Sequence, residues 1–292
     1  MRLYYHRCTP PNVGDELNAV LWPRHVPDLD DLDAADWLVG AGTILDGRLE
    51  TLRGTKLVMG AGVRCDSTMR RVGSDVRIAG VRGRLSARWL GLPDTAAMGD
   101  PGFLVSLWRE GGPDSGRVVG LVPHLYSLQW STFTARARDA GLEIVSPTLP
   151  VVDFLRQLGR CERVFCESLH GAILAEAMRI PWARVRLCAH HYEGPGVSEF
   201  KWRDAFSVLE ADVTPVNAMG LAPVKRAWPV SRHVVRPVQQ VLERRLAGVL
   251  GRLRDEAEVF HLVAEERLWA CVDRILAQVT RLRARPRTGV FL

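Results

Sequence analysis

No apolar run in this sequence is long enough to cross a membrane. The 292 residues are 47% hydrophobic and 25% charged, which is typical of globular proteins, and no stretch approaches the roughly 18 uninterrupted apolar residues of a membrane-spanning helix. The first residues, from Met1 to Arg7, also lack the long apolar core of a signal peptide. We therefore expect a soluble cytoplasmic protein, with enough residues for two domains of roughly 100–150 residues each.

Cysteine is scarce, and its spacing does not suggest a metal site. None of the six cysteines belongs to a Cys-x-x-Cys pair, and Cys166 lies in an apolar run. Cys161 and Cys166 are separated by four residues and have no second pair, which is not the ligand spacing of a structural zinc site. We expect reduced, mostly buried thiols and no bound metal.

Positive charge is scarce outside the C-terminal part of the chain. The net charge is +6, but the residues from Lys225 onward contain 14 Lys/Arg and 7 Asp/Glu, so the rest is nearly neutral. Nucleic-acid recognition would require basic residues interleaved with aromatic ones across a surface, and the body of the chain has no such pattern. We expect no nucleic-acid partner.

Short apolar runs alternate with helix-like segments over the first two thirds of the chain. The predicted strands are Arg2–Arg7, Asp36–Val39, Lys56–Met59 and Val76–Val81, followed by Arg117–Val122, Glu143–Val145, Arg163–Cys166 and Trp182–Leu187. One predicted helix begins at Glu16 and another ends at Leu90. Three more span Trp130–Ala140, Val151–Leu158 and His170–Met178. Such alternation predicts parallel sheets, because parallel strands need crossover connections.

The two series of strands are joined by a Gly/Pro/Ser stretch, residues 111–116, the best candidate for a linker. We therefore predict an α/β fold with two Rossmann-like domains, residues 1–112 and 113–228. Ligands of open parallel sheets bind at the carboxyl ends of the strands, so the cleft between the two sheets is the expected site.

Residues 229–292 form a third region with apolar residues at helical spacing and many arginines. This pattern predicts one or two long amphipathic helices that end in Arg281, Arg283, Arg285 and Arg287. Packing across the domains or between two copies of the chain is the first interpretation. Contact with an anionic membrane surface is the second, because basic amphipathic helices do both.

The segment from Cys166 to Ile173 is the most informative for chemistry. A buried strand ends and a helix begins here, and free N–H groups with the helix dipole favour an anion at such a junction. Gly171 would let a ligand approach the backbone, and His170 would donate a proton to a phosphate or carboxylate. In the alternative interpretation Ser168 only caps the helix and His170 packs beside it.

Two further strand ends carry polar candidates. Arg82 and Arg84 flank Gly83 after a strand, which suits capture of a carboxylate or phosphate, although a surface turn explains the arginines equally well. Asp15 follows Asn12 and Gly14 in the first strand-to-helix loop. It either caps the next helix or acts on sugar hydroxyls as a base or hydrogen-bond partner.

Gly40-Ala41-Gly42 and Gly60-Ala61-Gly62 each follow a predicted strand. Neither completes the Gly-x-Gly-x-x-Gly fingerprint of dinucleotide-binding proteins, so they only suggest that a ligand approaches the backbone closely.

The order of these segments is more specific than any one of them. In register they are 12–17 (NVGDEL), 39–45 (VGAGTIL), 59–63 (MGAGV), 81–87 (VRGRLSA), 99–102 (GDPG), 120–124 (GLVPH), 167–173 (ESLHGAI) and 200–204 (FKWRD). Over about residues 2–210 the chain resembles the polysaccharide pyruvyl transferase family, most closely the branch that modifies exopolysaccharide repeat units such as succinoglycan.

The resemblance implies a two-domain fold like that of GT-B glycosyltransferases, no metal or other cofactor, and phosphoenolpyruvate as donor. It also implies that His170 is the catalytic histidine and that Arg82 holds the anionic groups of the donor. Many members have arginine where this chain has Ser168. Arg84, His124 or Lys201, if not Arg82 itself, would then have to supply the missing cation.

These considerations give the predicted site. We expect His170, Asp15 and Arg82 to act in catalysis. The residues expected to bind substrate are Asn12, Gly14, Gly42, Gly60, Gly62, Arg84, His124, Glu167, Ser168, Gly171 and Lys201.

In the predicted mechanism the donor phosphate lies on the helix N-terminus at Gly171 and its carboxylate lies near Arg82. His170 protonates the methylene or the leaving phosphate, two acceptor hydroxyls attack C2, and a cyclic pyruvate ketal forms. The resemblance implies a saccharide acceptor, often lipid-linked, at the inner membrane face. A glycosyltransferase that uses a nucleotide-sugar and an inactive scaffold of a polysaccharide-assembly complex are the alternatives.

Overall fold

The computed structural model describes residues 1–32, 36–67, 69, 71–108, 118–187, 194–216, 232–255 and 260–285. The fold is α/β, with two four-stranded parallel sheets and a smaller two-stranded one. The predicted linker 111–116, the boundaries predicted at 112 and 228, Cys188 and Arg287 lie outside the described residues.

The first sheet is built from the N-terminal series of strands. Its strands, in spatial order, are β1 (Arg2–Tyr4), β2 (Trp37–Val39), β4 (Lys56–Met59) and β6 (Val76–Gly80), and all neighbours are parallel. The two-stranded sheet pairs β3 (Thr43–Leu45) with β5 (Gly62–Val63). β4 is buried along its whole length, because both of its faces are covered.

The second sheet is built from the second series. Its spatial order is β10 (Trp182–Arg184), β9 (Cys161–Cys166), β7 (Val118–Val122) and β8 (Glu143–Ile144), again all parallel. The predicted alternation of strands and helices, and the parallel pairing that it requires, are therefore confirmed. The strands at 2–7 and 182–187 are shorter than predicted.

The helices connect and cover the strands. They are α1 (Val13–His25), α2 (Arg84–Trp89), α3 (Leu125–Leu128), α4 (Phe133–Asp139), α5 (Val151–Gly159), α6 (Leu169–Ala177), α7 (Pro195–Phe206), α8 (Arg232–Asp255) and α9 (Glu265–Arg283). Gly141 follows α4 with a φ of 75° and ends it as predicted. The start predicted for this helix at Trp130 was wrong by three residues.

α8 and α9 confirm that the C-terminal region is helical, and both pack on the body of the chain. Leu246, Val249, Leu250 and Leu253 of α8 belong to the core on one face of the second sheet. The apolar face of α9 is buried along the helix, and the Cys271 thiol contacts the carbonyl of Met98 at 3.6 Å. For α9, the structure therefore supports the interpretation in which the helix packs on the rest of the chain.

Among the described residues, no helix combines the length and the apolar character needed to cross a membrane.

The two halves of the chain are in direct contact near the carboxyl ends of the sheets. A 3₁₀ segment, Pro101–Trp108, packs against α1, α6 and α9. The N–H of Val13, at the start of α1, donates to the carbonyl of Pro147 in the second half at 2.7 Å. This contact brings the N-termini of α1 and α6 to the same place.

Candidate active site

A cleft of about 490 Å³ lies where the strand ends of the two sheets meet. The first half contributes the loop after β1, the N-terminus of α1 and the loops around β3. The second half contributes the loop after β7, the start of α6 and one face of α7. This is the position at which open parallel sheets bind their ligands.

The cleft contains half of the predicted site. The predicted residues that line it are Asn12, Asp15, Gly42, His124, Ser168, His170 and Lys201. The predicted residues that do not line it are Gly14, Gly60, Gly62, Arg82, Arg84, Glu167 and Gly171. The second group lies outside the lining of the cleft, and most of its members contact other parts of the protein.

Asn12, not Asp15, caps α1, so the capping role considered for Asp15 was wrong. The Asn12 Oδ1 atom accepts from the N–H of Gly14 at 3.4 Å, and its Nδ2 donates to Asp15 Oδ2 at 3.0 Å. Asp15 lies in the first turn of the helix, where the helix dipole favours a negative charge. Its carboxylate is thus held towards the cleft rather than used for the backbone.

Burial raises the pKa of Asp15, and the nearby His170, His6 and Lys201 and the hydrogen bond from Asn12 oppose this rise. Burial disfavours the charged carboxylate because it removes water from it. A carboxylate with a raised pKa is a stronger base, so Asp15 is suited to accept a proton.

His170 lies in the first turn of α6, lines the cleft and packs against α1. A Cβ atom built on Gly14 would lie 2.0 Å from its Nδ1 atom, so only glycine at position 14 leaves room for the imidazole. Ser168 occupies the N-cap position of α6, but its side chain makes no capping hydrogen bond. The alternative in which Ser168 serves only as a cap is therefore not borne out.

On the side away from Gly14, His170 approaches a buried carboxylate. Its Nε2 atom lies 3.6 Å from Oδ2 of Asp100, which is fully buried. Neither atom has a hydrogen-bond partner among the described residues. Asp100 belongs to the Gly-Asp-Pro-Gly segment that the sequence already singled out, but no role for its side chain was predicted.

Arg82 is fully buried beneath the cleft instead of lining it. Its Nε donates to Asp204 Oδ2 at 3.0 Å and its Nη1 donates to the Thr43 hydroxyl at 2.8 Å. Asp204 also accepts from the N–H and the hydroxyl of Ser86. In this geometry the guanidinium is paired with a carboxylate and does not line the cleft, so its contact with the donor stays a prediction.

The other arginine forms a surface ion pair, and two of the predicted glycines serve packing. Arg84 pairs with Glu210 at 3.1 Å on the surface. A Cβ on Gly60 would meet the ring of Pro101 at 2.2 Å, and one on Gly62 would meet the Arg82 guanidinium at 2.4 Å. The close backbone approach predicted for the Gly60-Ala61-Gly62 loop exists, but the approaching groups belong to the protein itself.

Glu167 and Gly171 hold the second half of the cleft in shape. Glu167 Oε2 accepts from the N–H of His124 at 2.9 Å and from the hydroxyl of Ser127 at 2.5 Å. A Cβ on Gly171 would lie 2.7 Å from Val122 of β7. These contacts fix the loop after β7 and the position of α6 on its sheet.

Several residues that line the cleft were not predicted from the sequence: His6, Cys8, Thr43, Arg48, Arg64, Tyr126 and Gln129. Arg48 and Arg64 each donate to both carboxylate oxygens of an aspartate two positions away, Asp46 and Asp66 respectively. An arginine two positions from an aspartate is only a weak sign of a binding site in a sequence. These two pairs point to one because their loops meet at the same cleft.

The described residues contain no group of three or more His, Cys, Asp or Glu side chains arranged to hold a metal ion. The cleft has several basic groups and one buried carboxylate. The fold and cleft define an α/β protein whose site suits an anionic ligand and proton transfer by two side chains that line it, His170 and Asp15.

Comparison with known proteins identifies the family. The family model for polysaccharide pyruvyl transferase matches residues 36–186. The succinoglycan biosynthesis protein ExoV of Rhizobium meliloti (strain 1021) is 30% identical over 255 residues, which cover 84% of this chain and 78% of ExoV. The chain belongs to the polysaccharide pyruvyl transferase family, and this membership supports pyruvyl transfer to a polysaccharide.

Proposed function

We propose that the protein transfers the pyruvyl group of phosphoenolpyruvate to two hydroxyls of a saccharide and forms a cyclic ketal. The observation that carries the proposal is that His170 and Asp15, from the first turns of α6 and α1, line the same cleft. Addition across the enol double bond requires an acid and a base within reach of the same bound molecule.

In the proposed reaction His170 donates a proton to the methylene carbon of phosphoenolpyruvate, and C2 becomes electrophilic. The first acceptor hydroxyl forms a C–O bond to C2 and gives its proton to Asp15. The second hydroxyl forms the other C–O bond as the C2–O bond to phosphate breaks, and its proton leaves with the inorganic phosphate. One diol and one phosphoenolpyruvate thus give one ketal and one phosphate.

Binding of the donor is assigned to the second half of the cleft. Its phosphate lies at the N-terminus of α6, where Ser168 lines the cleft and the helix dipole favours an anion. Lys201 on α7 and His124 line the same wall, and they replace Arg82 as the groups that contact the donor. Arg82 acts from below, because it fixes the Thr43 hydroxyl that lines the cleft.

The acceptor saccharide is assigned to the first half, where Asp15 and Thr43 line the cleft. In this proposal the two sheets belong to two Rossmann-like domains in a GT-B-like arrangement, residues 1–112 and 113–228, with residues 229–292 as a helical extension. Phosphoenolpyruvate is a substrate, and no metal or other cofactor takes part.

A lipid-linked acceptor would place the enzyme at the inner membrane face. Because the apolar face of α9 is buried, its exposed Arg281 and Arg283 would act by charge alone, at about 1 kcal/mol for each basic residue near an anionic surface. Removal of residues 281–292 should abolish binding to vesicles that contain anionic lipid. Unchanged binding would rule this contact out.

The first experiment measures thermal stability in EDTA with phosphoenolpyruvate, UDP or a GDP-sugar. A ligand at 100 times its Kd stabilises by ~2.7 kcal/mol, which is enough to raise the Tm visibly. We expect a shift with phosphoenolpyruvate alone, and its loss in Lys201→Ala. Arg203→Ala is the matched control, because Arg203 lies on the same helix but does not line the cleft.

A shift with the nucleotide or nucleotide-sugar instead would favour the glycosyltransferase alternative. A shift with phosphoenolpyruvate but no phosphate release with any saccharide would favour the scaffold. Two results together would establish the activity: phosphate release that depends on a saccharide, and a ketal in the product, detected by NMR.

A further inference from the structure

Asp100 does not line the cleft and lies behind His170, on its Nε2 side. We propose that Asp100 is a positioning residue that holds the Nε2–H tautomer of His170, so that Nδ1 is the nitrogen that exchanges protons with the substrate. The inference deepens the proposed function and rests on it for the catalytic role of His170.

The first support is the pairing of two otherwise unsatisfied atoms. Asp100 Oδ2 and His170 Nε2 are both buried, lack other hydrogen-bond partners among the described residues, and lie 3.6 Å apart. A buried acceptor and a buried donor without partners are unfavourable, so each satisfies the other once the side chains approach by a few tenths of an ångström. In catalytic sites such contacts tighten when substrate binds.

The second support is that the carboxylate itself is held in place. Asp100 Oδ1 accepts from the N–H of Gly102 at 2.9 Å at the start of the 3₁₀ segment 101–108. That segment packs against α6, the helix that carries His170. Oδ2 is thereby directed at the imidazole by a backbone segment that packs against both α1 and α6.

The third support is the direction of the ring. Nδ1 lies against Gly14 on the α1 side, near Asp15, and is not among the buried atoms that lack a partner. A carboxylate accepts hydrogen bonds only, so it selects the tautomer with the proton on Nε2. Nδ1 is then left to carry the exchangeable proton on the substrate side.

The test is the tautomer itself, observed by the ¹⁵N chemical shifts of the ring nitrogens. In protein labelled on histidine, the signals of His170 are identified by their absence from His170→Ala. At a pH above the ordinary titration range of histidine, we expect Nε2 to be protonated and Nδ1 to be unprotonated. A neutral His170 with its proton on Nδ1 would overturn the proposal without any variant.

Asp100→Asn keeps the shape and one acceptor but presents an NH₂ group as donor to Nε2. We expect the proton of neutral His170 to move to Nδ1 and kcat to fall by about 10²-fold or more, with KM for phosphoenolpyruvate nearly unchanged. An unchanged tautomer in Asp100→Asn would contradict the inference, even if activity fell.

Asp204→Asn is the matched control, because Asp204 is also fully buried but pairs with Arg82. It should leave the tautomer of His170 unchanged. If the tautomer changes as expected in Asp100→Asn but the unmodified protein releases no phosphate from phosphoenolpyruvate with any acceptor, the positioning of His170 stands and the proposed reaction fails.

Discussion

The imidazole of His170 on α6 lies directly against the backbone of Gly14, so no side chain of α1 separates the two at this position. A methyl group on Gly14 would come within 2.0 Å of Nδ1. The position of His170, the proposed acid, therefore depends on a glycine at position 14, in the other half of the chain.

Gly14→Ala should displace His170, because overpacking of this kind typically costs about 1–3 kcal/mol. We expect loss of activity together with a lower free energy of unfolding in urea. Gly248→Ala is the control: Gly248 is also helical, and the nearest atom to its added methyl group lies at 3.7 Å. It should be neutral or stabilise by up to ~1 kcal/mol.

The clash with His170 can be isolated with a double variant. In a His170→Ala background, Gly14→Ala should destabilise much less, with a coupling energy of roughly 0.5–3 kcal/mol. Additive effects would show that position 14 is restricted by something other than the imidazole.

His170→Ala should lower kcat by about 10²–10⁴-fold, the usual contribution of a general acid. The measurement is phosphate release with phosphoenolpyruvate and a saccharide acceptor at saturation. His25→Gln is a suitable comparison, because His25 lies outside the cleft against Trp108 and should retain the activity. Nearly full activity of His170→Ala would remove it from the mechanism.

Asp15→Asn should be more stable than the unmodified protein at neutral pH and less active. Burial raises the pKa of Asp15, so between its ordinary pKa of about 3.9 and the raised value the folded state binds more protons than the unfolded state. Stability is lost as the pH rises through this window. The urea midpoints of the two proteins should therefore converge as the pH falls below about 4.

His25 gives the opposite dependence on pH. Burial and the neighbouring Arg24 lower its pKa, and its Nε2 accepts from Trp108 Nε1 at 3.1 Å, which requires the neutral ring. Below the ordinary pKa of histidine, about 6.5, the unfolded state binds more protons, so stability falls as the pH falls. His25→Gln should lose this part of the dependence, measured by urea midpoints between about pH 7 and 5.

Asp204→Asn should destabilise by about 3–5 kcal/mol, because it leaves the buried guanidinium of Arg82 without its counter-charge. Urea unfolding measures the loss. Asp139→Asn breaks an exposed pair with Arg136 at 3.6 Å and should change stability by no more than about 0.5 kcal/mol. If Asp204→Asn and Asp139→Asn lowered the free energy of unfolding equally, burial of the pair between Arg82 and Asp204 would add nothing to stability.

The sequence by itself determined the local elements. Apolar runs such as Lys56–Met59, stop signals such as Gly141, and the junction at Ser168 and His170 depend on neighbours in the chain, so periodicity and turn chemistry were sufficient to place them. The parallel arrangement followed because strands separated by helices have few other solutions. The order of the short motifs also indicated the family.

Only the tertiary structure decided which candidates face the cleft. Arg82 and Asp204 are 122 residues apart in the sequence. Their pairing holds Arg82, which was predicted to bind the donor, buried beneath the cleft. Gly14 with His170, and Asp100 with His170, are likewise contacts between distant segments. A residue's type limits its chemistry, but whether that chemistry reaches a ligand depends on burial and on partners, which the packing of one half of the chain on the other creates.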